Sequence, residues 1–212
     1  MTTIKKGLDL PANKHGRVEI PNVMRRQLPD FFKEMGYKVG VEIGVYKGQF
    51  TRYLLKDNTH IYAVDPWMEY PDYGHPKVHF QERQDKIYES ARNRLSGYPN
   101  CELVRKTSME AVKDFEDESI DFVYIDGHHG FKYVTEDIYE WSKKVKKGGI
   151  ISGHDYGVLI KPGSPYTLQV KFVIDAYTKA FQMKKWYVLG RKETLPNERR
   201  DQWRSWMWFK EH

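Results

Sequence analysis

The chain has 212 residues, 40% hydrophobic and 30% charged, with a formal net charge of +6, which fits one domain with a substantial core and excludes a disordered chain. Its single cysteine, Cys101, excludes an internal disulfide or a thiolate metal cluster, and no stretch nears the roughly 18 apolar residues of a membrane span. The N-terminus is polar and lacks a signal-peptide pattern, so the expectation is a cytoplasmic protein. The basic residues sit in short clusters, Lys143-Lys144, Lys146-Lys147 and Arg199-Arg200, which read as a solvated face rather than a nucleic-acid tract.

Residues 1–20 carry Gly, Pro and Asn without a period and read as an irregular arm. Asn22 is placed to cap a helix that runs to about Glu34 and ends at Gly36, so 1–35 form an arm and helix and 36–212 the main body of a single globular domain. Lys38–Ile43 is a short apolar strand closed by Gly44, followed by a helix over 49–56 and a strand over 60–65. Residues 66–79, with three prolines and two histidines, read as a long loop able to cap an acceptor, as does 157–166. A helix fits 80–95, a strand 101–105 and a short helix 108–114. The strand 120–125 ends in Asp126, and a helix over 131–146 stops at Gly148-Gly149. The strand 150–152 then delivers His154-Asp155-Tyr156, and a helix over 167–181 precedes strands at 186–189 and 203–209.

Strands alternating with helices predict an α/β, doubly wound, Rossmann-like sheet, mostly parallel with right-handed crossovers and helices on both faces. The last two strands are joined too closely for a crossover and predict an antiparallel hairpin, giving seven strands in all. Their tryptophans are compatible with a homodimer.

Glu42-Ile43-Gly44-Val45-Tyr46-Lys47-Gly48 lies between the first strand of this series and its helix, where ligands bind in open α/β sheets. Gly44 permits the tight turn, and Gly48 permits a ligand to approach the backbone. The pattern lacks the third glycine of a pyrophosphate-binding loop, and an acid at 42 suits an ammonium group better than a diphosphate. Asp65 ends the next strand, where a carboxylate accepts hydrogen bonds from a ribose diol. The ligand expected is therefore a nucleoside with a cationic tail. A nicotinamide-dependent oxidoreductase fits this pattern less well.

Glu42–Gly48 and Val64-Asp65-Pro66-Trp67 resemble the first two motifs of class I S-adenosylmethionine-dependent methyltransferases. Ile125-Asp126-Gly127-His128-His129 and Gly148–Tyr156 resemble those of the small-molecule O-methyltransferases related to macrolide sugar, catechol and cephalosporin-pathway enzymes. The resemblance spans about residues 36–160. It implies that Glu42 and Gly44 hold the methionine end of S-adenosylmethionine, Asp65 the ribose, and Trp67, Ser108 and Met109 the adenine, with Gly48 and Asp126 also binding the cofactor. It also implies a divalent ion, Mg²⁺ or Mn²⁺, on Asp126, His154 and Asp155, with His129 or His128 as the base and Asp126 beside it. Imidazole at 154 departs from an all-oxygen set and favours the softer ion. The expected acceptor is a small-molecule hydroxyl. Two other readings stay open: a non-catalytic S-adenosylmethionine-binding module, and a methyltransferase acting on RNA.

Overall fold

In the computed structural model, residues 1–69, 80–160 and 167–211 are described; most of the expected loop at 66–79, and part of that at 157–166, lie outside them. The helices are α1 (Thr3–Gly7), α2 (Leu28–Glu34), α3 (Thr51–Leu54), α4 (Gln81–Leu95), α5 (Ser108–Ala111), α6 (Phe131–Lys144) and α7 (Val170–Ala180). The strands are β1 (Arg17–Ile20), β2 (Val39–Ile43), β3 (His60–Val64), β4 (Cys101–Val104), β5 (Ile120–Ile125), β6 (Val145–Tyr156), β7 (Leu159–Ile160), β8 (Thr167–Leu168), β9 (Trp186–Leu189) and β10 (Arg204–Phe209).

Eight strands form one sheet in the order β1-β9-β10-β6-β5-β2-β3-β4, and β7 and β8 make a separate small hairpin. β10 runs antiparallel to both β9 and β6, and the other pairs are parallel. The expected closing hairpin is therefore present. The strand count is eight rather than seven, because the arm supplies β1. Val18 and Ile20 of β1 turn inward and pair with Tyr187 and Leu189, while Glu19 between them meets Arg204 at 2.8 Å. A four-residue alternation flanked by Gly and Pro is too short to identify a strand until its distant partner is known.

Asn22 does not cap a helix. It has φ 57°, and its side chain accepts from the Arg199 amide at 3.1 Å. The chain instead makes a 3₁₀ turn at Arg25–Gln27 and enters α2 with Pro29 in its first turn, where a missing N–H costs nothing. Gly148-Gly149 likewise fall inside β6, whose backbone there pairs with Lys210; the α6 helix has already ended at Lys144.

The sheet separates two apolar layers. Along β5, Phe122 and Tyr124 face the side covered by α1 to α4, where the Phe122 ring stacks on Phe32 at 4.2 Å; Val123 and Ile125 face α5 to α7. The α6 helix buries Val134, Asp137, Ile138 and Trp141, an i, i+3, i+4, i+7 stripe that includes one carboxylate. Trp186, Trp206 and Trp208 of the terminal strands are buried in the chain's own core. Among the described residues, no helix is long and apolar enough to cross a membrane.

Candidate active site

The carboxyl ends of β2, β3, β5 and β6 meet at one edge of the sheet. A cavity of about 550 Å³ opens there, lined among others by Glu42, Gly44, Asp65, Ser108, Met109 and Asp126. This volume suits a nucleoside-sized ligand.

The turn after β2 is fixed by the backbone. Gly44 has φ 89°, and a Cβ at this position would lie 2.2 Å from the Asp126 carbonyl oxygen, so only glycine lets the two strand ends approach. Asp65 Oδ2 accepts from the amides of Val45 and Tyr46 at 3.0 and 2.9 Å, and its Oδ1 accepts from Trp67 at 2.9 Å. Its first task is thus to hold the glycine turn. Burial still raises its pKa despite these amides. Of four lone-pair sites on the carboxylate, one on Oδ1 is left for a ribose hydroxyl.

Glu42 lies at the cavity floor, 1% exposed, and among the described residues its Oε2 has no hydrogen-bond partner. Burial pushes its pKa up to about 8. A carboxyl with one oxygen unpartnered at this depth fits a ligand that brings its own positive group, as the methionyl ammonium does.

Two expected cofactor residues make packing contacts and are not on the cavity lining. A Cβ at Gly48 would meet the Leu95 side chain at 2.8 Å, so this glycine admits α4. Trp67 is 1% exposed, donates its indole N–H to the Tyr46 carbonyl at 2.8 Å and meets Tyr88 edge-on; Pro66 and Met68 on either side line the cavity.

Where β5 and β6 end, Asp126, His129, His154 and Asp155 converge, with Asp126 and His129 on the cavity lining. His129 Nε2 lies 2.9 Å from Asp155 Oδ2 and 3.9 Å from Asp126 Oδ1; His154 Nδ1 lies 2.9 Å from Asp155 Oδ1 and 3.7 Å from Asp126 Oδ1. Asp155 has φ 55°, a strained conformation for a non-glycine residue and one that recurs at functional sites. Burial opposes a charge on either histidine, but the carboxylates outweigh it. They hold His129 well above the ordinary range and raise His154 too. Burial works against the Asp155 charge as well, yet the two imidazoles hold it far below the usual carboxylate range. His128 belongs to a different arrangement: its Nδ1 accepts from the Gly130 amide at 3.0 Å and its ring stacks on Tyr133 at 3.8 Å. It lines the cavity while shaping the turn into α6.

Sequence reasoning missed Arg25. Its guanidinium meets Asp126 Oδ2 at 2.9 Å and lies over the Phe50 ring, while its amide donates to Asp201. Nothing in the local pattern of 22–27 signals this role.

The donor atoms of Asp126, His154 and Asp155 all lie within 4.8 Å of one another, close enough for one cation to touch all three. Two carboxylate oxygens and an imidazole nitrogen form a set suited to Mn²⁺ and, less well, Mg²⁺.

A family model described as "Methyltransferase domain" matches residues 41–156, which carry both halves of this site. Solved structures share the fold: an rRNA methylase from Streptococcus thermophilus (TM-score 0.60, 15% identity, covering 88% of this chain and 95% of that one) and a spermidine synthase from Thermotoga maritima (0.55, 16%, 87% and 59%). A third is the O-methyltransferase TomG from Streptomyces achromogenes, involved in tomaymycin synthesis and solved with S-adenosylmethionine (0.57, 11%, 87% and 78%). At these identities the likeness is one of fold. A curated relative, the uncharacterized protein y4gI of Sinorhizobium fredii, is 31% identical over 98 residues, which are 46% of this chain and 10% of that protein. The chain therefore spans about a tenth of that relative's length. With the family model matched over more than half of the chain, the chain belongs to the methyltransferase-domain family.

Proposed function

We propose that the chain transfers the methyl group of S-adenosylmethionine to a hydroxyl of a small molecule, with Mg²⁺ or Mn²⁺ held by Asp126, His154 and Asp155. The observation that carries this reading is the convergence of those three side chains, with His129 beside them, where Asp126 and His129 line the cavity. An ion there would bind the acceptor hydroxyl and lower its pKa.

The remaining work falls to the chain's own groups. Glu42 and the Gly44 turn orient the methionyl tail, and Asp65 fixes the turn on which the ribose rests. His129 takes the proton of the acceptor hydroxyl on Nε2, the nitrogen that lies 2.9 Å from Asp155 in the free protein. The raised pKa of His129 means that its carboxylate partners must be engaged elsewhere before Nε2 can accept a proton. The acceptor oxygen then attacks the methyl carbon in line. The C–O bond forms as the C–S bond breaks, and the electron pair passes to sulfur to leave S-adenosylhomocysteine. Alignment of the two reactants supplies most of the rate.

The test is turnover. Release of S-adenosylhomocysteine is measured with catechols and reducing sugars as acceptors, with Mn²⁺ or with excess EDTA. Hydroxyl methylation that stops on chelation and returns with Mn²⁺ is expected; turnover indifferent to EDTA, or confined to RNA, overturns the reading.

A further inference from the structure

Arg199-Arg200 is one of the short basic clusters of the sequence, and its place in the fold is specific. β10 runs antiparallel to both β9 and β6, and it opens with Arg204 opposite Tyr156, the residue after Asp155. β1 is parallel to β9. The segment that follows β1 and the loop that joins β9 to β10 therefore leave the sheet at its carboxyl edge, where the cavity opens.

Two hydrogen bonds clamp these segments together. The Asn22 side chain accepts from the Arg199 amide at 3.1 Å, and Asp201 Oδ2 accepts from the Arg25 amide at 2.6 Å. Arg200 is spent on the loop itself, since its guanidinium donates to the carbonyls of Lys192, Asp201 and Gln202.

A groove of about 550 Å³ lies between the two segments, with Arg26, Arg199 and Arg200 on its walls. Its two acids are engaged. Asp201 holds the Arg25 amide, and Glu198 pairs with Arg191 at 3.3 Å and accepts from the Leu195 amide at 3.1 Å. Arg26 and Arg199 are exposed, and among the described residues neither guanidinium has a hydrogen bond or an ion pair. Two like charges held on one clamped scaffold gain from an anion between them.

The groove adjoins the cavity along one stretch of backbone. Arg25 lines the cavity and meets Asp126, while its neighbours Met24 and Arg26 line the groove. A molecule with a hydroxyl at Asp126 and an anionic group on Arg26 would lie across this turn. One guanidinium fork uses both oxygens of a carboxylate, whereas a phosphate has oxygens for two forks. Two free arginines are also too few to track a polynucleotide backbone, which takes a longer run of cations.

We propose that Arg26 and Arg199 bind a phosphate group of the methyl acceptor, so that the acceptor is a small phosphate ester carrying the reacting hydroxyl. This rests on the cavity being the site of methyl transfer.

The first measurement needs no acceptor. Calorimetry with pyrophosphate at low salt should show saturable binding to the wild type, weakened about tenfold or more in Arg26→Gln/Arg199→Gln. Lysine at both positions keeps the charge and loses the fork, so it should recover only part of that affinity. A second basic groove, with Lys14 and Lys179, lies at the amino ends of β1 and β9 and serves as the control: Lys14→Gln/Lys179→Gln should leave pyrophosphate affinity unchanged. The second measurement is turnover on sugars and catechols with and without a phosphate ester. The phosphorylated member is expected to have a KM lower by about tenfold, and Arg26→Gln/Arg199→Gln should erase that advantage, with KM moving more than kcat. Equal pyrophosphate affinity in the wild type and the glutamine variant overturns the assignment, as does a phosphate ester that brings no gain in KM. Preference of the same two arginines for a short single-stranded RNA over pyrophosphate overturns it as well. If nothing is methylated while pyrophosphate binding still follows the two arginines, the methyl-transfer reading falls and the phosphate site stands.

Discussion

The two ends of the cavity are built on opposite plans. At the cofactor end the main chain does the ordering: Gly44 lets two strand ends touch, and Asp65 holds the turn through the Val45 and Tyr46 amides. At the proposed acceptor end the ordering comes from charged side chains. Asp126 and Asp155 are neutralised by Arg25, His129 and His154, drawn from three separate parts of the chain. A scaffold of amides is set once by folding. A cluster of ion pairs can exchange partners, which is what a site must do if protons and a cation come and go during turnover.

The sharpest way to break this comparison is Asp155→Ala. It removes a donor of the proposed cation site and the carboxylate paired with His129, and it should lower kcat by about 10³-fold. S-adenosylhomocysteine affinity, measured by calorimetry, should change little, because the cofactor end does not use Asp155. A parallel loss of cofactor binding would show that the two ends are not separable. His129→Gln should cost about 10²–10⁴-fold in kcat with the same split.

Glu42 gives the next largest effect, on the cofactor end alone. Its pKa near 8 in the free protein means it is largely neutral at pH 6. The ammonium of the ligand favours the carboxylate, so binding expels a proton, and affinity should rise by up to about tenfold per pH unit from 6 to 8 before levelling. The stability of the ligand-free protein moves the other way. The folded state holds this proton where the unfolded chain, with an ordinary carboxyl, has lost it, so Glu42's contribution falls as pH rises from about 4.5 to 8. Glu42→Gln should flatten both profiles. An unchanged slope of affinity against pH in that variant would assign the proton elsewhere.

The same contrast explains what the sequence discloses. Glu42, Gly44 and Asp65 follow a local grammar of strand, tight turn and helix, and Asp126 and Asp155 end strands that the β-α alternation makes neighbours. Readings at that level place both ends of the cavity. Contacts set by packing are not readable in this way: Gly48 and Trp67 occupy motif positions, and the motif does not disclose that the first meets Leu95 of α4 and the second is buried on the Tyr46 carbonyl. β1 and Arg25 are silent, because each acquires meaning from a partner more than a hundred residues away.

Arg25 offers the smallest and most discriminating prediction, since it lines the cofactor cavity yet pairs with the acceptor cluster. Its guanidinium holds Asp126 Oδ2 while Oδ1 faces His154 and His129, so guanidinium and a cation would share one carboxylate, and the pair is only partly sheltered, with Arg25 34% exposed. The pair is therefore worth about 1 kcal/mol rather than the larger value of a dry ion pair. Arg25→Ala should lower the melting temperature of the metal-free protein by about 2–4 °C, as that loss implies for a chain of this size. The same substitution frees Asp126, so Mn²⁺ affinity should rise by roughly fivefold, the equivalent of that energy. Opposite signs in the two measurements are the signature of competition between guanidinium and metal for one carboxylate. If Mn²⁺ affinity instead stays level while S-adenosylhomocysteine affinity collapses, Arg25 serves the methionyl tail, and the acceptor end keeps its balance without it.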